Sequence, residues 1–112
     1  MTGIDFAAFK AGPGGVMARA LGIGVDGCST WRQFMSAAIA FNDSQLGVLV
    51  DRARHLDGVV SSGQRPLLQA ILHAVDFSWL ADELGAGKTW RQLEVPDSDY
   101  RAAIAACVVQ VD

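Results

Sequence analysis

The chain reads as an all-α protein, a compact bundle of five to seven short helices. Three observations carry that reading. Apolar residues recur at three- and four-residue spacing through most of the sequence. The periodic stretches are separated by Gly, Pro and Asn-Asp-Ser breaks. No stretch shows a convincing two-residue alternation. With 112 residues, 51% of them apolar and 19% charged, the chain can bury a core without disulfides or metal. That balance excludes a disordered chain. One all-α domain is expected over 1–112.

A short segment, Ile4 to Lys10, comes first. Ala11-Gly12-Pro13-Gly14-Gly15 reads as a flexible hinge or turn, followed by a second segment around Val16 to Leu21. Thr30-Trp31-Arg32-Gln33 opens a helix that runs to about Phe41. The clearest amphipathic pattern starts at Asn42-Asp43-Ser44. There Leu46, Leu49, Val50, Ala53 and Leu56 form one stripe, with Asp43 as N-cap and Gly58 as the stop. In the next helix Pro66 sits in the first turn, where its missing N–H costs nothing. Leu67, Leu68, Ile71, Leu72 and Val75 line one face, and Gln69, His73 and Asp76 fall off it. A helix from about Ser78 to Leu84 stops at Gly85, and another runs from about Ser98 to Val109. Val108-Val109-Gln110-Val111 is compatible with a strand but continues the helical pattern, so helix is preferred.

The sequence also repeats itself. Met17-Ala18-Arg19-Ala20-Leu21-Gly22-Ile23-Gly24 aligns with Leu80-Ala81-Asp82-Glu83-Leu84-Gly85-Ala86-Gly87. Thr30-Trp31-Arg32-Gln33-Phe34 aligns with Thr89-Trp90-Arg91-Gln92-Leu93, and Ala37-Ala38-Ile39-Ala40 with Ala102-Ala103-Ile104-Ala105. The spacers differ between the copies. Each copy, about 17–41 and 80–106, reads as a helix, a glycine stop, a turn and a capped second helix. Two pseudo-repeated helix-turn-helix halves are therefore one arrangement of the bundle. Thr-x-x-Gln is a capping-box pattern, with Thr accepting the N3 amide and Gln returning the bond. Arg32 and Arg91 sit where the helix dipole disfavours a cation. Each therefore calls for an acidic partner, which Asp26, Glu94 or an outside molecule could supply.

Several motifs offer chemistry. Gly85-Ala86-Gly87-Lys88-Thr89 looks like the end of a phosphate-binding loop. However, Asp82 occupies the position of that pattern's first glycine, and a helix precedes it instead of a strand. A small-anion site at Gly87, Lys88 and Thr89 is the weaker idea that survives. Leu80-Ala81-x-x-Leu84-Gly85 resembles the first helix and turn of helix-turn-helix DNA-binding domains. That resemblance implies a recognition helix next, whereas Arg91 and Glu94 stand where the family buries apolar residues and Pro96 would cut that helix short. Nine basic against twelve acidic residues give a net charge of -3, which weighs against nucleic acid. His55 and His73 lack partners at metal spacing, and Cys28 and Cys107 form no Cys-x-x-Cys pair. Ten of the twelve acids are Asp, which suits caps and turns more than acid–base work.

Neither a cofactor nor a metal is expected. The start of the chain carries no signal-peptide pattern, and no apolar run is long enough for a membrane span. Two reduced thiols in a cytoplasmic protein without membrane contact follow as the expectation. The expected function is a non-enzymatic protein–protein interaction module, with a protein partner or self-association as a homodimer. Trp31, Arg32, Trp90 and Arg91 are the candidate surface, because Trp and Arg anchor interfaces most often. The alternatives are a DNA-binding regulator using Leu80 to Leu93, and a ligand-binding protein or small enzyme with a pocket between the halves holding His73 or Cys107.

Overall fold

A computed structural model describes residues 4–61, 64–85 and 98–112. Seven α-helices lie among them: α1 (Phe6–Ala11), α2 (Pro13–Leu21), α3 (Trp31–Ser44), α4 (Val48–Val59), α5 (Arg65–Ala74), α6 (Ser78–Gly85) and α7 (Ser98–Val109). A single 3-10 turn, Val25–Gly27, joins α2 to α3. The all-α bundle is as the periodicity predicts. The Cα radius of gyration, 12.6 Å, matches the roughly 13 Å of a folded chain this long.

Helix α5 is the axis of the bundle. Every residue from Pro66 to Leu72 is buried, and α2, α4, α6 and α7 all pack on this helix. Leu67, Leu68, Ala70, Ile71 and Leu72 are buried as expected, but the expectation that Gln69 falls off the apolar face is wrong. A helix covered on all sides has no solvent face to give it. The Gln69 amide is fully buried, and neither its oxygen nor its nitrogen has a hydrogen-bond partner among the described residues.

A second core is aromatic. Phe6 and Phe9 from α1 meet Trp31 and Phe34 from α3, and all six ring pairs have centroids 4.7 to 6.0 Å apart. Asp5 caps α1 by accepting the Ala8 N–H at 2.9 Å.

The expected hinge or turn at 11–15 narrows to Gly12, because Ala11 ends α1 and Pro13 begins α2. Pro13 occupies the first turn of α2, and Gly14 and Gly15 are helical and buried. Their role is close approach: a Cβ on Gly14 would fall on the Phe9 ring, and one on Gly15 would collide with the Lys10 carbonyl. Helix α2 ends as its glycine stop predicts. Gly22 takes a left-handed φ of 89°, and Ile23 donates back to the Ala18 carbonyl at 3.1 Å.

Between α3 and α4 the expected boundaries shift. Helix α3 runs on through Asp43, so Asp43 is not an N-cap. Asn42 does that work instead, its Oδ1 accepting the Leu49 and Val50 amides at 3.1 and 3.3 Å. Leu46 sits in the turn with φ 53° and is 97% exposed, so it leaves the predicted stripe. Gly58 lies inside α4, which closes at Val60.

The internal repeat stands as a sequence feature. Its first copy forms α2, the 3-10 turn and α3, whereas Thr89-Trp90-Arg91-Gln92 lies outside the described residues.

Two sets of substitutions test this packing by chemical denaturation. Gly15→Ala is expected to destabilise the fold by about 1–3 kcal/mol, because its methyl meets backbone. Gly58→Ala, with open space around its Cβ and a helical backbone in the last turn of α4, should stabilise by about 0.4–1 kcal/mol. Gln69→Met should stabilise the chain, because it removes two unpaired polar groups worth about 1–3 kcal/mol each. A loss of stability in Gln69→Met would contradict the absence of a partner for the amide.

Candidate functional site

An apolar trough lies between α2, the end of α4 and the start of α7. Pro13, Val16, Met17 and Ala20 recur at i, i+3, i+4 and i+7 along α2 and form one wall. Leu56 and Val60 form the other wall, and Gln64 and Tyr100 close the end, around a cavity of about 190 Å³. A more open hollow of about 310 Å³ continues past Ala20 and Leu56 to Asp51, Arg52 and His55. The α2 wall is about 10 Å long at 1.5 Å per residue, which is about two turns of a helix.

The polar end is positioned by a cap. Ser61 Oγ accepts the Gln64 N–H at 3.2 Å, and Gln64 Oε1 accepts the Ser61 N–H at 3.0 Å. This is a reciprocal capping box at the entry to α5. The same Gln64 donates through Nε2 to the Tyr100 hydroxyl at 3.3 Å, which fixes that ring at the end of the trough. At the far end, Arg52 stands 6.0 Å from the Phe41 ring centroid. Sequence reading missed this site. Treating 11–15 as a hinge hid the α2 stripe, although Ser61-x-x-Gln64 carried a visible capping-box signal.

The predicted site residues are placed as follows. Trp31 is buried at 4% exposure inside the aromatic cluster, so its ring is not on the surface. Arg32 is exposed. Its suggested partner Asp26 pairs with Arg19 instead, at 2.7 Å. The Thr30 cap forms as expected, accepting the Gln33 N–H at 3.1 Å. Gln33, however, returns its bond to the Ser29 N–H at 2.7 Å, one residue earlier than the standard box. Gly87, Lys88, Thr89, Trp90 and Arg91 lie outside the described residues.

Reactive side chains do not converge on the trough. Cys28 and Cys107 are buried and unbridged. Burial pushes both thiols up, with Lys10 pulling the Cys28 thiol the other way. A thiol held protonated is a poor nucleophile. His73 lies 3.4 Å from Asp82 on α6, and His55 lines the open hollow. Neither His73 nor Cys107 borders the trough. Among the described residues no cluster of three or more metal-ligating side chains forms, and no helix is long and apolar enough to cross a membrane.

No family model matches this chain, and neither does any curated protein or any solved structure.

Ion pairs tie the outer helices. Arg54 on α4 grips Glu83 on α6 with two bonds of 3.0 and 3.2 Å, and Arg65 meets Asp57 at 3.2 Å. Hydrogen bonds from Arg54 and Arg19 hold the Glu83 and Asp26 carboxyls below their ordinary values of 4.5 and 3.8. A carboxyl depressed in the folded state stabilises fully above its unfolded value and loses that contribution as pH falls through the folded value. Thermal unfolding should therefore hold level down to about pH 5 and weaken progressively below it. Glu83→Gln should flatten part of that acid limb in a calorimetric pH series. The change will be small, because both pairs are exposed.

Proposed function

We propose that this chain is a non-enzymatic protein–protein interaction module whose trough seats one apolar edge of a helix, from a protein partner or a second copy. The carrying observation is the stripe Pro13, Val16, Met17 and Ala20, which leaves Val16 65% exposed above a cavity floored by Met17 and Leu56. A helix laid in such a groove reads it through anchors at i, i+3 or i+4, and i+7. Two turns of groove accommodate that spacing.

Shape favours side chains over metabolites. The cavity of about 190 Å³ runs on into the open hollow of about 310 Å³, which makes a groove and not an enclosed small-molecule site. The trough is open along its length, whereas such sites enclose most of the ligand. Met17 adds adaptability, because an unbranched thioether reshapes to fit different partners. The hydroxyl of Tyr100 and the guanidinium of Arg52 mark the two ends and would set the direction of a bound helix.

Two measurements on the full chain test the reading. Sedimentation over a wide concentration range looks for self-association. Titration of the isotope-labelled chain with a synthetic amphipathic helix bearing leucines at i, i+3 and i+7 looks for binding in the trough. The expected result is either a reversible dimer or amide shifts centred on Val16, Met17, Ala20 and Leu56. Ala20→Glu, at an exposed position, should weaken whichever is seen by about tenfold or more. A strict monomer whose trough amides stay unmoved by the peptide would overturn the proposal.

A further inference from the structure

The last described residues reach across the molecule to the starts of two helices. After α7 ends at Val109, Gln110 adopts a left-handed φ of 58°. Its backbone N–H donates to the Ala106 carbonyl at 2.8 Å, and its side chain donates to the Cys107 carbonyl at 3.0 Å. That turn sends Val111 into an isolated parallel bridge with Asp5, the cap of α1. The Val111 carbonyl accepts the Trp31 indole N–H at 3.0 Å. Asp112 Oδ1 accepts the Trp31 backbone N–H at 2.8 Å.

Trp31 is the first residue of α3, and its amide is one of the donors that a helix start leaves without an internal partner. Thr30 satisfies the amide of Gln33 and cannot also serve that of Trp31. The carboxylate of Asp112 fills the gap and sits where the helix dipole favours negative charge. Residues 110–112 thus close the Trp31 edge of the aromatic cluster with two hydrogen bonds and one bridge. They bury little apolar surface in doing so: Val111 is 43% exposed, and Asp112 and Gln110 are exposed. A segment held by hydrogen bonds near water, against a core held by apolar packing, opens at lower free energy than the core unfolds.

We propose that residues 110–112 are a releasable strap over the start of α3. It opens while the α5 core stays folded and uncovers the Trp31 edge of the aromatic cluster.

Hydrogen exchange by NMR on the full chain tests this. In the wild type, the Trp31 indole and backbone N–H groups should exchange about 100-fold or more faster than the Leu68 and Ile71 amides, and with little dependence on denaturant. Asp112→Ala should speed both Trp31 exchanges by about tenfold and leave Leu68 and Ile71 unchanged, because it removes a charge-assisted bond. Asp112→Asn keeps the accepting oxygen and should stay near the wild-type rate. Trp31 exchanging at the core rate in the wild type would overturn the strap. So would acceleration of Trp31 and the α5 amides in equal measure by Asp112→Ala.

Discussion

The arrangement depends on four aromatic rings that all touch one another. Helix α1 has six residues, too few to persist as an isolated helix in water. It exists because Phe6 and Phe9 project from one side of it into Trp31 and Phe34, and burying each phenyl ring contributes about 1.5–3 kcal/mol. Tilted and edge-on contacts, such as the 77° meeting of Phe6 with Trp31, add to that. Once α1 is placed, α2 must pass directly beside it, and the only residues that fit against the Phe9 ring and the Lys10 carbonyl are the glycines at 14 and 15. The position of the whole α2 wall follows from that contact.

The trough then arises from a mismatch of sizes. Helix α5 is enclosed by its neighbours, and α2, α4 and α7 pack around it, with α2 also against α4 and α7. Ala20 is too small to fill the gap facing Leu56, and the groove stays open between them. Val16, one turn earlier, is left largely exposed. A bundle of short helices packed on one buried axis leaves such gaps wherever small residues meet. Here the walls beside the gap are apolar for two turns.

Much of this was legible in the sequence. The Thr30 cap, the Gly22 stop, Pro66 in a first turn and the spans of α6 and α7 all rest on local rules, in which neighbouring residues satisfy backbone groups or end a helix. What was not legible came from distant parts of the chain. Gln69 looks like a surface residue by its chemistry, and only the coverage of α5 on every side puts it inside. Trp31 looks like an interface anchor, and only the arrival of Phe6 and Phe9 makes it core. Glycines at 12, 14 and 15 around a proline look like a hinge, because nothing local says that a phenyl ring requires the missing Cβ. Leu46 fits the apolar period of α4, but Asn42 caps that helix two residues further on and leaves Leu46 outside. The competing strand reading of 108–111 touches one real feature, since Val111 forms a single bridge to Asp5.

The same burial that builds the fold decides which chemistry it leaves accessible. Both thiols are held protonated inside the core, and Asp26, Asp57 and Glu83 are each paired with an arginine. Charge therefore ties α4, α5 and α6 together, through Arg54 to Glu83 and Arg65 to Asp57. The α2 side is different: its wall carries no charge from Pro13 to Ala20 apart from Arg19, which turns away to Asp26. A surface that directs its one cation elsewhere and lines the remaining gap with Val, Met, Leu and Ala is suited to recognition by shape. For a partner, the gain comes from removing water from those side chains, and the hydroxyl of Tyr100 and the guanidinium of Arg52 set its register.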